Sequence, residues 1–388
     1  MVKNDIVELV KKYAYVLLIF SLAIIVGIIG GNLLKQKVGA DQVATTTPVP
    51  SPSPVSNLNK NFIYGVQGGA YALNQLGEDY HPENVDIQIA KTKELGVGLI
   101  RANLEIKTQN SPFNISYVDA TNDDYINKVS ASGLDILLVL DPDIPNSIGK
   151  ADYYNEGYKM GTYAAKRYKG KVKYFQLANE LSGTIIKPEK YDGPTFDGEN
   201  GIKYSTERYQ ASLEWIKGMA KGIRENDPSA KLVVSGHWIL YDIFGKLIND
   251  GADFDILGWS FYSSDGDDIT KREFNYGDHM NLAEKLAQYK KDLWIVEANR
   301  THGSYEPGKP AQEQDQANYL DRLLTNIYSS DYFKGFIFFS LFDNPIATDQ
   351  GSPQEAQWGL VKVNSLKDKS ISNKSAFQIY KDFIAAHS

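Results

Sequence analysis

From Asn61 onward the chain alternates between two hydrophobic rhythms. Short runs rich in β-branched and aromatic residues cover 62–68, 98–104, 135–141, 172–179, 231–236, 254–261, 293–298 and 335–341. Each is the length of a strand, and their near-continuous apolar character suits strands buried on both faces. Between them lie longer stretches with helical spacing, such as 83–95, 153–168, 205–225, 280–289 and 313–328, and a last one at 374–386. Strand followed by helix, repeated eight times, predicts an α/β fold of the (β/α)8 TIM-barrel class over residues 61–388. An open doubly wound sheet is the alternative. It would need a glycine-rich dinucleotide loop after the first strand, and Gly65, Gly68 and Gly69 lack that spacing.

Upstream of the barrel the composition changes twice. Residues 13–34 carry no charge, and their length matches the ~20 residues that cross a bilayer as a helix. A signal peptide has an apolar centre of only about 7–15 residues, so the expectation is a single uncleaved transmembrane anchor behind a short cytoplasmic tail at 1–12, although Val38-Gly39-Ala40 would pass as a cleavage site. Lys3, Lys11 and Lys12 before the run and Lys35 and Lys37 after it bias the orientation only slightly. Residues 40–58 form a Pro/Ser/Thr-rich linker that behaves as an extended spacer. A stalk of this kind predicts a barrel held at the outer face of the cell membrane.

The formal charge of -7 argues against a nucleic-acid partner, which requires a basic surface. With no cysteine, a disulfide, a thiolate nucleophile and a Cys-ligated metal are all excluded. The five histidines are scattered without an H-x-x-x-H pair, so neither a metal nor a cofactor is expected. The 25 tyrosines offer flat faces with hydroxyls, which suits sugar binding, though core packing accounts for most of them.

In such a barrel the reacting groups stand at the C-terminal ends of the strands. The predicted ends carry Arg101 and Asn103, Asp141 and Asp143, Asn179 and Glu180, His237 and Trp238, Ser260 and Tyr262, Glu297 and Asn299, and Phe342, Asp343 and Asn344. Glu180 and Glu297, on strands four and seven, would project towards a common centre. Cleavage of a glycosidic bond with retention uses such a pair at about 5–5.5 Å, one carboxyl protonating the leaving oxygen and the other attacking the anomeric carbon. The two must differ in acidity, and Arg101 and Tyr262 are the natural donors to keep Glu297 ionised. Asn179 would bond the hydroxyl beside the reacting carbon.

Plainer readings stand beside these. A second Asn-Glu, Asn155-Glu156, has no strand before it and shows that the dipeptide alone says little. Arg101 would alternatively pair with Glu105 or Asp135, His237 would be a wall residue, and Trp259 belongs in the core. The stretch 265–268 lacks EF-hand spacing and reads as a solvated loop over the site. The sequon at Asn299-Arg-Thr301 lies beside Glu297 and is taken as chance.

The Asn179-Glu180 pair, Glu297, Arg101 and Tyr262, each at its strand end, resemble glycoside hydrolase clan A, the (β/α)8 superfamily of retaining β-glycosidases. The resemblance covers residues 61–388. It implies an acid/base at Glu180, a nucleophile at Glu297, support of that nucleophile by Arg101 and Tyr262, and 2-hydroxyl binding by Asn179. Trp358-Gly-Leu-Val, with Lys374-Ser-Ala-Phe377 further on, is also similar to the ending of these enzymes. One departure is the end of strand eight, where many clan members place a Trp under the sugar. Here it reads FIFFSLFDN, which leaves Phe342 or Trp358 for that place. His237 and Trp238 complete the expected substrate-binding set. The implied substrate is a β-linked extracellular glycan, hydrolysed or transferred; the alternatives are a catalytically silent carbohydrate-binding barrel and a different TIM-barrel enzyme.

Overall fold

Each of the eight apolar runs becomes a strand: β1 (Ile63–Gln67), β2 (Leu99–Asn103), β3 (Asp135–Val139), β4 (Tyr174–Ala178), β5 (Lys231–His237), β6 (Ile256–Tyr262), β7 (Asp292–Asn299) and β8 (Phe333–Phe338). They pair in parallel in chain order, and β8 closes on β1 with Ile63 opposite Gly335. Closure leaves this eight-stranded sheet without a free edge. The structure, a computed structural model, describes residues 61–73, 80–108, 115–140, 152–199, 201–274, 278–349 and 351–388. The anchor at 13–34, the linker at 40–58 and the pair Asp141 and Asp143 lie outside the described residues. Among the described residues no helix is long and apolar enough to cross a membrane.

One helix of six or more residues follows each strand: α1 (Pro82–Leu95), α2 (Asp119–Ala131), α3 (Tyr153–Tyr168), α4 (Thr206–Asn226), α5 (Ile243–Asn249), α6 (Leu282–Ala287), α7 (Glu313–Ser329) and α8 (Ser375–His387). Their starts have local causes. Asp152, Ser205 and Asn281 accept hydrogen bonds from backbone N–H groups of the first turns of α3, α4 and α6, and α1 begins with a proline.

Strand parity divides the apolar residues into two layers. Leu99, Leu137, Val233, Trp294 and Ile337 fill the barrel interior, while their neighbours Ile100, Leu138, Val234, Ile295 and Phe338 face the helices. Inside, Gly335 makes room for the Trp294 ring, because a Cβ there would stand 2.9 Å from Trp294 Cδ2. Two positions further along the inward parity, the apolar filling gives way to polar groups: Leu99 is succeeded by Arg101, Tyr174 by Gln176 and Val233 by Ser235, all buried. The site sits on this polar layer.

The frame around β4 is held by an unusually close pair of helices. A Cβ on Gly157 or Gly161 of α3 would come within 2.3 Å of the carbonyl of Trp215 or Met219 in α4, and one on Gly218 within 2.0 Å of Tyr154 O. The two backbones touch through a glycine seam repeating every fourth residue, since only glycine permits that approach. Hairpins decorate the strand-to-helix connections at the mouth, among them Ile106–Thr108 with Ile115–Tyr117 after β2 and Thr195–Asp197 with Lys203–Ser205 after β4.

Candidate active site

Arg101, from β2, organises the mouth. Its guanidinium donates from Nη1 to Gln67 Oε1 at 2.5 Å, from Nε to Gln176 Oε1 at 2.9 Å, and from Nη2 to Asn179 Oδ1 at 2.9 Å. Nη2 also lies 2.9 Å from Glu297 Oε1. The rigid fork of arginine can meet four acceptors at once in this way, which lysine cannot. The plainer pairings are not made: Asp135 pairs instead with Lys173 at 2.9 Å.

Glu297 receives a second donor, the Tyr262 hydroxyl, at 2.9 Å to Oε2. A local irregularity in β7 permits this position. Pairing with β6 steps from Trp259–Ile295 to Ser260–Glu297, so Val296 joins the interior apolar cluster and the very next side chain also turns towards Arg101. Regular alternation would have put Glu297 on the helix side. At β4 a similar shift falls between Gln176 and Ala178. Asn179 Oδ1 accepts from both Arg101 and Gln176 Nε2 at 2.9 Å, which fixes the amide's orientation.

Glu180 adopts the left-handed conformation with φ 45° and ψ 40°, rare for a residue with a side chain and a common mark of functional positions. Its N–H donates to Ser235 Oγ at 2.9 Å. Its side chain is 34% exposed, against 8% for Glu297, so one carboxyl opens on the cleft and the other is sheltered. His237 Nδ1 stands 4.0 Å from Glu180 Oε2 and 3.4 Å from Ser182 Oγ. Burial lowers the pKa of His237 and favours the neutral imidazole.

The carboxyls differ in their surroundings. Burial raises both above the ordinary range. At Glu297 the adjacent Arg101 charge and the bonds from Tyr262 and Arg101 act against that rise, while the charge of Glu180 adds to it. At Glu180 the opposing influences are a bond from Ser260 and the more remote Arg101, and Asp265 adds to the rise. Direct ion pairing thus favours ionisation of Glu297 alone. Burial and the charge of Glu297 push the Tyr262 hydroxyl far up, so it stays a donor.

The aromatic rim comes from β8 and the segment behind it. Trp358 is half-buried and donates Nε1–H to Thr301 O at 2.9 Å; its ring centroid lies 6.4 Å from that of Tyr262 and 5.3 Å from that of Phe339. Phe342 is 2% exposed and touches the cavity only from within the wall, whereas Phe339 offers more of its ring. Trp238, 42% exposed with φ 60°, stands at the rim beyond β5. Trp259 is fully buried.

Two expectations need correction or refinement. The 265–268 stretch is only partly solvated: Gly266 is exposed, but Asp265 is buried against Arg272 at 2.6 Å, Asp267 meets Arg322 at 2.6 Å, and Asp268 caps the turn at Thr270. Asn299 is buried, its amide donating to Phe339 O and to Trp358 O, so this sequon is shielded in the folded chain. Gln67, Gln176, Ser235, Ser182 and Phe339 escaped sequence reasoning. For Gln67, Gln176 and Ser235 the signal was a polar residue at inward parity within an apolar run, as in YFQLA; Ser182, in the short helix Leu181–Ile185, and Phe339, just past β8, carried no such signal. Among the described residues no three metal-binding side chains converge.

No model of a known protein family matches the sequence, and no curated protein matches it. Solved structures do share its architecture. A β-glucosidase from Thermotoga maritima in complex with deoxynojirimycin superposes with a TM-score of 0.62 at 13% identity, covering 86% of this chain and 100% of that one. The complex of a β-glucosidase from the same organism with glucoimidazole gives 0.61 at 13% identity, with coverage of 86% and 100%. A family 1 β-glucosidase from Thermotoga maritima gives 0.61 at 12%, with 86% and 99% covered. At such identities the likeness is one of fold, and what these enzymes share with this chain is the closed (β/α)8 barrel.

Proposed function

We propose that the chain is a retaining β-glycosidase acting on a β-linked glycan, with Glu297 as nucleophile and Glu180 as acid/base. The observation that carries this reading is the clamp on Glu297 by Arg101 and Tyr262, set against a Glu180 that opens on the cleft without a cation in contact. In the first step a Glu297 oxygen attacks the anomeric carbon, the bond to the leaving oxygen breaks, and that oxygen takes the proton of Glu180. In the second, Glu180 removes a proton from water, whose oxygen displaces Glu297 from the anomeric carbon. Asn179, its amide oriented by Arg101 and Gln176, is placed to bond the neighbouring hydroxyl. His237, Trp238 and Trp358 complete the walls, and the β-glucosidase fold of the solved neighbours is consistent with this chemistry. A barrel that only binds glycan would have no use for a buried, doubly held carboxylate, since burying such a charge is costly.

The charge-free run at 13–34 and the spacer at 40–58 support an extracellular barrel tethered to the membrane. The test is to offer the full chain aryl β-glycosides and β-glycans and to follow product anomers by NMR. Retention of configuration is expected, with activity lost in Glu297→Gln and restored to Glu180→Ala by azide on activated substrates. Inverted product, or wild-type turnover undiminished in Glu297→Gln, would sink the assignment.

A further inference from the structure

A cavity of about 640 Å3 opens over the ends of β8, β1 and β2, lined by Gln67, which accepts from Arg101, by Trp358, whose ring lies 6.4 Å from that of Tyr262, and by Phe339, Glu105 and Glu355. In the closed strand order β8 lies four places from β4, which leads into Glu180. The leaving group must pass beside the acid, so the sugar bearing the anomeric carbon and the units attached to it extend the other way. We infer that this cavity holds the non-reducing end of a neutral β-glycan, more than one sugar ring deep, with Glu105 and Glu355 gripping its hydroxyls. The inference rests on the glycosidase reading and names its substrate class.

Three observations carry it. First, Glu105 is fixed by its backbone, whose N–H and C=O are both bonded at 2.9 Å by the Asn122 amide, while no hydrogen bond or ion pair among the described residues holds its carboxyl. Burial alone pushes that carboxyl up to about 7, and Glu355 is raised by burial in the same way. Carboxyls left without a partner in a cavity wall are satisfied when hydroxyls bond them. Second, Gln67 and Asn344 add amides, the Asn344 Oδ1 being buried without a partner among the described residues, and Phe339 and Trp358 add rings. Acceptors, amide donors and aromatic faces together match an uncharged polyhydroxylated ring. Third, among the described residues Lys107 is the one cation lining the cavity against the two carboxyls, so once those carboxyls are ionised a uronate or sulfate ester would meet like charge. Pockets of about 300–1,000 Å3 take ligands well above one sugar ring in size.

The experiment compares aryl β-glycosides bearing one or two neutral sugars, and binding of neutral β-oligosaccharides by calorimetry, for the full chain with Glu105→Gln and Glu355→Gln. Expected is a preference for the two-sugar glycone, and a fall of about ten-fold in that preference and in oligosaccharide affinity in each variant. The cavity assignment is overturned if aryl glycosides are cleaved but the ratio is unchanged in both variants, or if uronic-acid oligosaccharides bind better than neutral ones. Oligosaccharide binding that weakens in the variants while no glycoside is cleaved keeps the cavity and overturns the catalytic reading. Matching melting temperatures establish that each variant folds, and Glu355→Gln serves alone if Glu105→Gln does not.

Discussion

Tyr262 separates positioning from chemistry at a single atom. Its hydroxyl donates to Glu297 at 2.9 Å, and Phe removes that donor with little change of shape. A hydrogen bond to a charged group contributes about 1.5–3 kcal/mol, so Tyr262→Phe is expected to lower kcat/KM about ten-fold to a hundred-fold while circular dichroism stays native. The pH profile follows from the raised carboxyls. On the proposed roles, activity should fall as pH drops through the Glu297 value, because a nucleophile must be ionised, and again as pH rises through the raised Glu180 value, because an acid must keep its proton. Glu180→Gln should abolish the alkaline limb for a first-step burst on substrates with activated leaving groups. The same shift acts on stability. Glu180 binds its proton more tightly folded than unfolded, so stability is lost as pH rises from the unfolded value through the folded one. Glu180→Gln should therefore melt higher than wild type at about pH 8, with the gap closing towards pH 4; an equal gap at both would contradict the burial argument.

The glycine seam between α3 and α4 sets how closely two elements stand beside β4. Because a Cβ at Gly218 would come 2.0 Å from the Tyr154 carbonyl, Gly218→Ala must separate the helices. Overpacking costs about 1–3 kcal/mol, and here the obstacle is backbone, which yields least. A loss at or above that range in urea unfolding is expected, together with a lowered kcat, since β4 leads into Glu180; a variant as stable as wild type would show that the helices are free to part. Most elements were legible in sequence because their apolar periodicity is strong. Two helices were not. In α2 the buried face includes Thr121, Asn122 and Tyr125, and Asn122 is buried because it clamps the backbone of Glu105, a use that hydropathy does not register. Helix α5 spans Ile243–Asn249, too short to show a period.

For the whole molecule, the barrel carries the candidate site and the charge-free run at 13–34 is the proposed tether. If residues 13–34 anchor the chain, the full-length protein should stay with membranes through carbonate washing, and deletion of those residues should release it without loss of kcat on a soluble aryl glycoside. Release of the intact chain by the wash alone would remove the anchor from the proposal. Closure of the barrel also brings strands that are distant in sequence to one mouth: Arg101 and Glu297 are 196 positions apart (297 - 101) yet share a 2.9 Å ion pair.

That distance marks the division between the two kinds of information. Alternating strand and helix patterns and the polar residues closing each strand were readable because each depends on local periodicity and residue type. The residues that hold Arg101 and Asn179 were hidden for the opposite reason. Gln67, Gln176 and Ser235 matter only because inward parity on three separate strands stacks them under Arg101 and Asn179. Glu297 faces the centre only because β7 departs from regular alternation, and Phe339 meets Trp358 only because the segment after β8 folds back across the mouth. Periodicity is a property of neighbours in the chain; hydrogen-bond geometry and desolvation belong to neighbours in space, and these arise only on closure of the barrel.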